Sequence, residues 1–360
     1  LFAILAFFSF LNFQKENKFF LDNKVNLGLD LQGGSYLLLE IDTRPLIKER
    51  LQNKVIPLKK FLKDSNINYE DFSVTPIDIN FKINQKDLSK FERLFFAKKD
   101  NSLNLFISQF NTFELDFKEK DNQIQISFSK YGTLNINNSA LNQSIEIVRR
   151  RIDDLGTKEP TILQRGEKRI LVELPGIKNP ERIKDLLGKT AQLHFRLVSD
   201  ETNEFGFDKL ISDEGEELAV NKRIIFSGEN LIDAQPRLGN ETNQPIVSFT
   251  LDRLGSQRFG KITTTSVGKR IAIVLDNKLI SAPQIREPIT GGSGIISGNF
   301  TFQEVTDLAL LLRSGALPTP LNIVEERTVG PDLGEDSIKS GTISLIVGFL
   351  LVIVFMIFKY

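Results

Sequence analysis

Val25–Asp42 reads VNLGLDLQGGSYLLLEID, with Gly28, Gly33 and Gly34 leading into the apolar run Tyr36–Ile41. An adjacent glycine pair marks backbone that needs a positive φ or a very close neighbour. The run behind it has the length and residue type of a buried strand. Asp30, just ahead of the pair, fits a carboxylate hydrogen-bonded to turn amides better than a catalytic acid. This glycine-strand unit heads a long polar region that lies between two apolar segments.

Those segments set the class of the protein. Ser340–Phe358 carries no charged residue and has the length and purity of a transmembrane helix. Leu1–Phe13 is apolar except for Ser9 and Asn12. It reads as the end of a first transmembrane helix or of a signal peptide. The anchor is preferred, because no small-residue cleavage site follows. The chain is therefore expected to be a piece of a larger membrane protein, with residues 1–13 and 340–360 as two truncated spans.

Lysine plus arginine equals aspartate plus glutamate at 46 each, so no bulk field favours nucleic acid. The absence of cysteine excludes disulfides, thiolate metal sites and cysteine nucleophiles. The single histidine, His194, excludes a multi-histidine metal site.

Leu46, Ile47, Leu51, Val55 and Leu58 predict a helix over Arg44–Phe61. Residues 63–138 are rich in Asn, Lys, Asp and Phe and read as a strand-rich elaboration without a chemical motif. Leu141, Ile145, Val148, Ile152 and Leu155 predict a helix that Asn138 or Ser139 caps and Gly156 ends. Strands at Thr161–Gln164 and Arg169–Leu174 follow. A helix capped by Asn179 with Pro180 at its first position, then an alternating strand over Gln192–Val198, completes a β-α-β-β-α-β order.

Ser199–Asn221 is acidic and reads as a loop or linker. A second round then offers a strand over Ile246–Leu251 and a helix over Arg253–Ser266 that Gly255 and Gly260 weaken. A hairpin turns on Asp276-Asn277, and Thr301 and Glu304 form a capping box before the next helix. Between them lies the glycine-rich loop Pro288–Gly298. The expected fold class is α+β, with ferredoxin-like (βαββαβ) modules flanked by transmembrane α-helices.

Catalytic chemistry finds little support. Gly268-Lys269 lacks the P-loop spacing, and GGSG at Gly291 is not a dinucleotide fingerprint. Arg149, Arg150 and Arg151 fan over about 200° on a helix and read as a solvated face. Asp153 and Asp154 diverge on that helix, and His194 falls on the polar face of its strand. No catalytic, metal or cofactor-binding residues are assigned. What remains is a binding or force-transmitting device. Ile289, Ile295, Ile296 and Phe300 are candidate polypeptide contacts, with burial as core the equal alternative. Ser199, Gly315, Pro318 and Pro320 are candidate hinge positions, or simply breaks that end one element and start the next.

Four stretches carry a family resemblance: Val25–Asp42, RRRIDDLGTKEPTILQRGEKRILVELPGI (149–177), VGKRIAIVLDNKLISAPQIREPITGGSGIISGNF (267–300) and LALLLRSGALPTPLNIVEERTVGPDLG (308–334). Together they resemble the SecD subunit of the bacterial Sec protein-translocation machinery, within the resistance-nodulation-division-like superfamily. The resemblance makes Gly28, Leu29, Asp30, Gln32, Gly33 and Gly34 a structural family motif. It implies a multi-pass protein of the bacterial inner membrane whose large first domain lies in the periplasm. It implies SecF, the SecYEG channel and translocating unfolded preproteins as partners, and the proton-motive force as energy source. It further implies a periplasmic base over 25–198, a head over 199–313, and a hinge with a return strand to the base over 314–337. The rival function is that of the extracytoplasmic part of an efflux or lipid transporter of the resistance-nodulation-division type.

Overall fold

The computed structural model of the chain describes residues 33–359 except 100, 158, 178–179, 200–205, 212–214, 240–242 and 330. Gly33 and Gly34 hold φ of +69° and +139°, and the Gly33 carbonyl accepts the Gly176 N–H at 2.9 Å. The pair thus turns the chain into β1 (Gly34–Ile41) while sealing it to a neighbouring strand. In chain order α1 (Lys130–Asp154), β2 (Thr161–Arg165), β3 (Arg169–Pro175) and α2 (Pro180–Gly188) follow as the rest of the base.

The base sheet is antiparallel, in the order Leu321–Val329, β1, β3, β2. That is the strand order of a ferredoxin-like unit, with its last strand supplied from far downstream. Leu37, Leu39 and Ile41 of β1 meet Leu141, Val148 and Ile152 of α1 and Ile183 and Leu187 of α2 in one core. Each fully buried aliphatic contributes roughly 1.5–3 kcal/mol, so the central β1 is a main contributor to the stability of the base.

The strand expected at Gln192–Val198 does not join this sheet. β4 (Leu193–Ser199) instead pairs with Glu217–Ser227 and Ile271–Leu275, and its Leu193 and Phe195 enter the core of the head. Alternation had put these side chains on a buried face, which holds; the sheet that buries them is the head's.

The predicted helix over Arg44–Phe61 is two helices, Arg44–Asn53 and Val55–Asp64. Pro57, whose ring clashes with the carbonyl four residues back, accounts for the break at Lys54. The elaboration is a mixed α/β unit with its own core. It has a four-stranded sheet and a helix over Gln85–Phe95 whose Phe91 and Phe95 are buried beside Phe81. It ends sooner than expected, because α1 begins at Lys130, capped by Ser129, rather than at Ser139.

The head has two sheets. One orders Phe207–Ile211, Glu217–Ser227, β4, Ile271–Leu275 and Lys278–Ser281. The other orders Leu231–Leu238, β5 (Pro245–Leu251) and β6 (Ser293–Ile296). The acidic stretch read as a linker therefore contributes strand. α3 (Arg253–Thr265) runs unbroken through Gly255 and Gly260, with Asp252 accepting the Gly255 N–H at 2.6 Å as its cap. The Asp276-Asn277 hairpin turn, at φ +49° and +65°, and the Thr301–Glu304 capping box of α4 (Phe302–Ser314) are present as read. The second round thus keeps its helices and hairpin but deals its strands to two sheets.

β7 (Leu321–Val329), the return strand, lies on β1 and leads into α5 (Pro331–Lys359). Within α5, the 21 residues Lys339–Lys359 contain an 18-residue stretch with a mean hydropathy of 2.8. At a rise of about 1.5 Å per residue that segment matches a hydrocarbon core of about 30 Å.

Candidate functional site

Two places in this fold bear on the expected binding or force-transmitting role. The first is the joint between base and head. The chain crosses it twice, between α2 and β4 and again between α4 and β7. The two crossings are bonded to each other by Leu317 N–H to the Thr190 carbonyl at 2.8 Å.

Arg151 organises the joint. It is fully buried on α1, and Nη1 donates to the carbonyls of Leu186 at 2.7 Å and Lys189 at 2.6 Å. Nη2 donates to the Gly315 carbonyl at 3.2 Å. One guanidinium thus serves the C-terminal ends of α2 and α4, where carbonyls lack intrahelical partners and the helix dipoles are negative. Burial pushes its pKa down to about 10, so it stays cationic at neutral pH.

The expectation of three solvated arginines is corrected: Arg149 and Arg150 are exposed, Arg151 is not. The fan that carries Arg149 to solvent carries Arg151 inside. A signal was available. Asn137, Ser144 and Arg151 step by seven along the apolar stripe of α1, and all three are buried.

Further bonds cross the same joint. Arg313 meets Asp154 at 3.0 Å, and Arg182 meets Asp307 at 2.6 Å. Asp276, at the head hairpin, accepts from the Thr190 hydroxyl, from Ala191 N–H at 3.1 Å and from Gln192 N–H at 2.9 Å. Leu186, Ala191 and Leu311 close it with an apolar cluster.

Of the hinge candidates, Gly315 sits in the joint at φ +94°, where a side chain is strained, and Pro318 and Pro320 lie on the second crossing. The Pro320 carbonyl accepts Asp42 N–H at 3.0 Å, which ties that crossing to the base. Ser199 is not at the first crossing. It pairs with Ala219 inside the head sheet, and the change of sheet occurs between Gly188 and Leu193.

His194 lies near the joint and is half-buried, with its buried Nδ1 unpartnered among the described residues. Burial and then the Arg196 charge lower its pKa. The unfolded chain therefore takes up the proton first as pH falls below about 6.5, and stability falls with it. His194→Gln is expected to shrink the loss of melting temperature between pH 7.5 and pH 5. An unchanged loss would acquit this side chain.

The second place is the glycine-rich stretch after the hairpin. Rather than a free loop, it is tied to α3 by Ile289 N–H donating to the buried Thr263 hydroxyl at 2.9 Å, and Ser293–Ile296 is strand β6. The four apolar candidates separate. Ile296 is fully buried, Ile289 and Phe300 pack partly against the head core, and Ile295 is 56% exposed. Successive residues of a strand face opposite sides, which settles the choice left open between binding and burial for Ile296. A cavity of about 600 Å³ opens beside Thr290, lined also by Leu251, Arg253, Gln257, Gly260 and Lys261. Of the glycine motif, Gly33 and Gly34 are described above; Gly28, Leu29, Asp30 and Gln32 lie outside the described residues.

Comparison with known proteins gives one consistent result. Residues 19–43 match the "SecD/SecF GG Motif", residues 141–200 the N-terminal part of the P1 domain of "Protein translocase subunit SecDF", and residues 202–319 "SecDF, P1 head subdomain". The chain is 39% identical over 359 residues to the protein translocase subunit SecD of Rickettsia bellii, covering 96% of this chain and 67% of that protein. It is 42% identical over 345 residues to that of Acetobacter pasteurianus, covering 94% and 65%. Among solved structures it resembles SecDF in a super-membrane-facing form, with a TM-score of 0.52 and 25% identity over 97% of this chain and 37% of that one. The chain thus spans about two thirds of these curated relatives and a smaller part of the SecDF chain.

Proposed function

Because the chain belongs to the SecD family of protein-translocase subunits, we propose that it holds emerging unfolded polypeptide on its head and helps draw it across the membrane. The observation that carries this reading is the path of β7. It leaves the head, lies on the central strand of the base, and one residue later becomes the membrane-length helix α5. A force on the head is then transmitted through a hydrogen-bonded sheet to a membrane anchor. The proposal places residues 14–339 on the periplasmic side of the inner membrane of a multi-pass protein, with SecF and the SecYEG channel as partners. Moving one charge through 100 mV releases about 2.3 kcal/mol. Ser340–Phe358 holds no ionisable group, so proton-motive coupling is proposed to reside outside these residues.

Ile295 and Ile296 test the holding role. Ile295→Ser is expected to lower photo-cross-linking to a translocating preprotein about two- to threefold, at unchanged melting temperature. Ile296→Ser should instead cost roughly 3 kcal/mol of stability through a cavity and a buried hydroxyl. Equal cross-linking by wild type and Ile295→Ser would remove Ile295 from the contact surface.

A further inference from the structure

β6 is an unprotected sheet edge. Sheets normally blunt their edges with charge, proline or cover. Every other terminal strand of four or more residues among the described residues carries at least one charged residue, such as Glu325, Glu326 and Arg327 on β7 or Asp208 and Lys209 on Phe207–Ile211. Ser293–Ile296, reading SGII, has neither charge nor proline, and it pairs with β5 alone.

The ladder fixes which backbone groups are free. Leu251 N–H donates to the Gly292 carbonyl at 2.7 Å, and the register sets Phe249 opposite Gly294 and Ser248 opposite Ile295. In an antiparallel pair hydrogen-bonded positions alternate, so Gly294 and Ile296 bond to β5 while Ser293 and Ile295 aim N–H and C=O outward. Both of the latter residues are exposed.

The strand is also held still. Gly292 has φ +68°, and a Cβ there would lie 2.0 Å from the Ser256 hydroxyl oxygen. A Cβ on Gly294 would lie 2.5 Å from the Phe249 ring. An edge already ordered by its own packing adds a strand without paying to order itself.

We propose that this edge takes an extended segment of unfolded polypeptide as an added strand, recognised through its backbone. The proposal rests on the reading of the head as a polypeptide holder and names how it holds. Backbone pairing accepts any sequence without proline at the bonded positions, which suits a partner that has no fixed sequence.

The test uses the full chain in detergent with a fluorescent, reduced and carboxymethylated polypeptide as probe. Ile295→Pro removes one outward donor and no bond to β5, and proline is tolerated at such an edge position. Binding is expected to weaken about tenfold, against at most about threefold for Ile295→Ser. In addition, Ser293→Cys, the only thiol in the chain, is expected, with copper–phenanthroline as oxidant, to form disulfides with every second position of a cysteine-scanned unfolded peptide, a pattern readable even if Ile295→Pro folds poorly. Wild-type affinity in Ile295→Pro, or disulfides without alternation, overturns strand addition. Loss on Ile295→Ser alone does so too while leaving the holding role intact. Absence of binding by the wild type removes both. Disulfides between two copies in preference to the peptide would make a second copy the occupant and overturn the proposal.

Discussion

Arg151→Met is expected to lower the melting temperature of the detergent-solubilised protein by roughly 5–10 °C, from a loss of about 3 kcal/mol. Methionine replaces most of the volume, so the loss is one of bonds rather than of packing. It leaves the buried Leu186 carbonyl and the partly buried Lys189 and Gly315 carbonyls without their donor, at about 1–3 kcal/mol for each group that water cannot reach. Those carbonyls end α2 in the base and α4 in the head, so the damage is expected at the joint before either core. Limited proteolysis should open the crossing between Gly188 and Leu193 earlier in the variant than in the wild type. Arg151→Lys should fall between, because a single ammonium cannot span the carbonyls that the planar fork reaches. A variant that melts like the wild type would mean that water replaces the guanidinium, and the joint would then owe its order to its apolar cluster.

Fixing the head to the base is expected to stop transport outright. Arg182 on α2 and Asp307 on α4 face each other across the joint at 2.6 Å, so Arg182→Cys with Asp307→Cys places two thiols within reach of a short, reducible bis-thiol reagent. The chain has no native cysteine to compete. Losing the ion pair alone should cost little, since a partly exposed pair contributes about 0.2–1 kcal/mol. The uncross-linked double variant is therefore expected to move preproteins in membrane vesicles at close to the wild-type rate. Cross-linking should halt it, and reductant should restore it, if the head turns about Gly315 and the prolines that follow. Transport at an unchanged rate while cross-linked would show that the head works without moving relative to the base. The closed joint, with its bonds from Arg151, Arg313 and Arg182, is the arrangement such motion would have to open.

Much of this protein is fixed by local sequence. The uncharged run Ser340–Phe358 leaves a membrane-length helix as the structure in which all its backbone groups are paired. Thr301 and Glu304 close their capping box through contacts three residues apart, and Asp276-Asn277 makes its turn because both residues tolerate a positive φ. The positive φ of the glycine pair ahead of β1 is of the same kind, whereas its bond to Gly176 is not. Each of these depends on neighbours within one helical turn or one hairpin, so the residues themselves suffice.

Tertiary structure decided the rest, and it did so wherever a residue had to choose a partner far away in the chain. Alternation in Leu193–Ser199 says that one face is buried but not by which sheet; pairing with Ile271–Leu275 rather than with β1 made it a head strand. β7 took the vacant place beside β1 from nearly 300 residues downstream. Ile295 and Ile296 are equally apolar, and only the pairing of β6 with β5 turned one to solvent and the other to the core. Arg151 is the clearest case. A guanidinium is buried only where oxygens converge on it, and the oxygens that hold this one come from two helix ends that the chain brings together only when base and head are both folded.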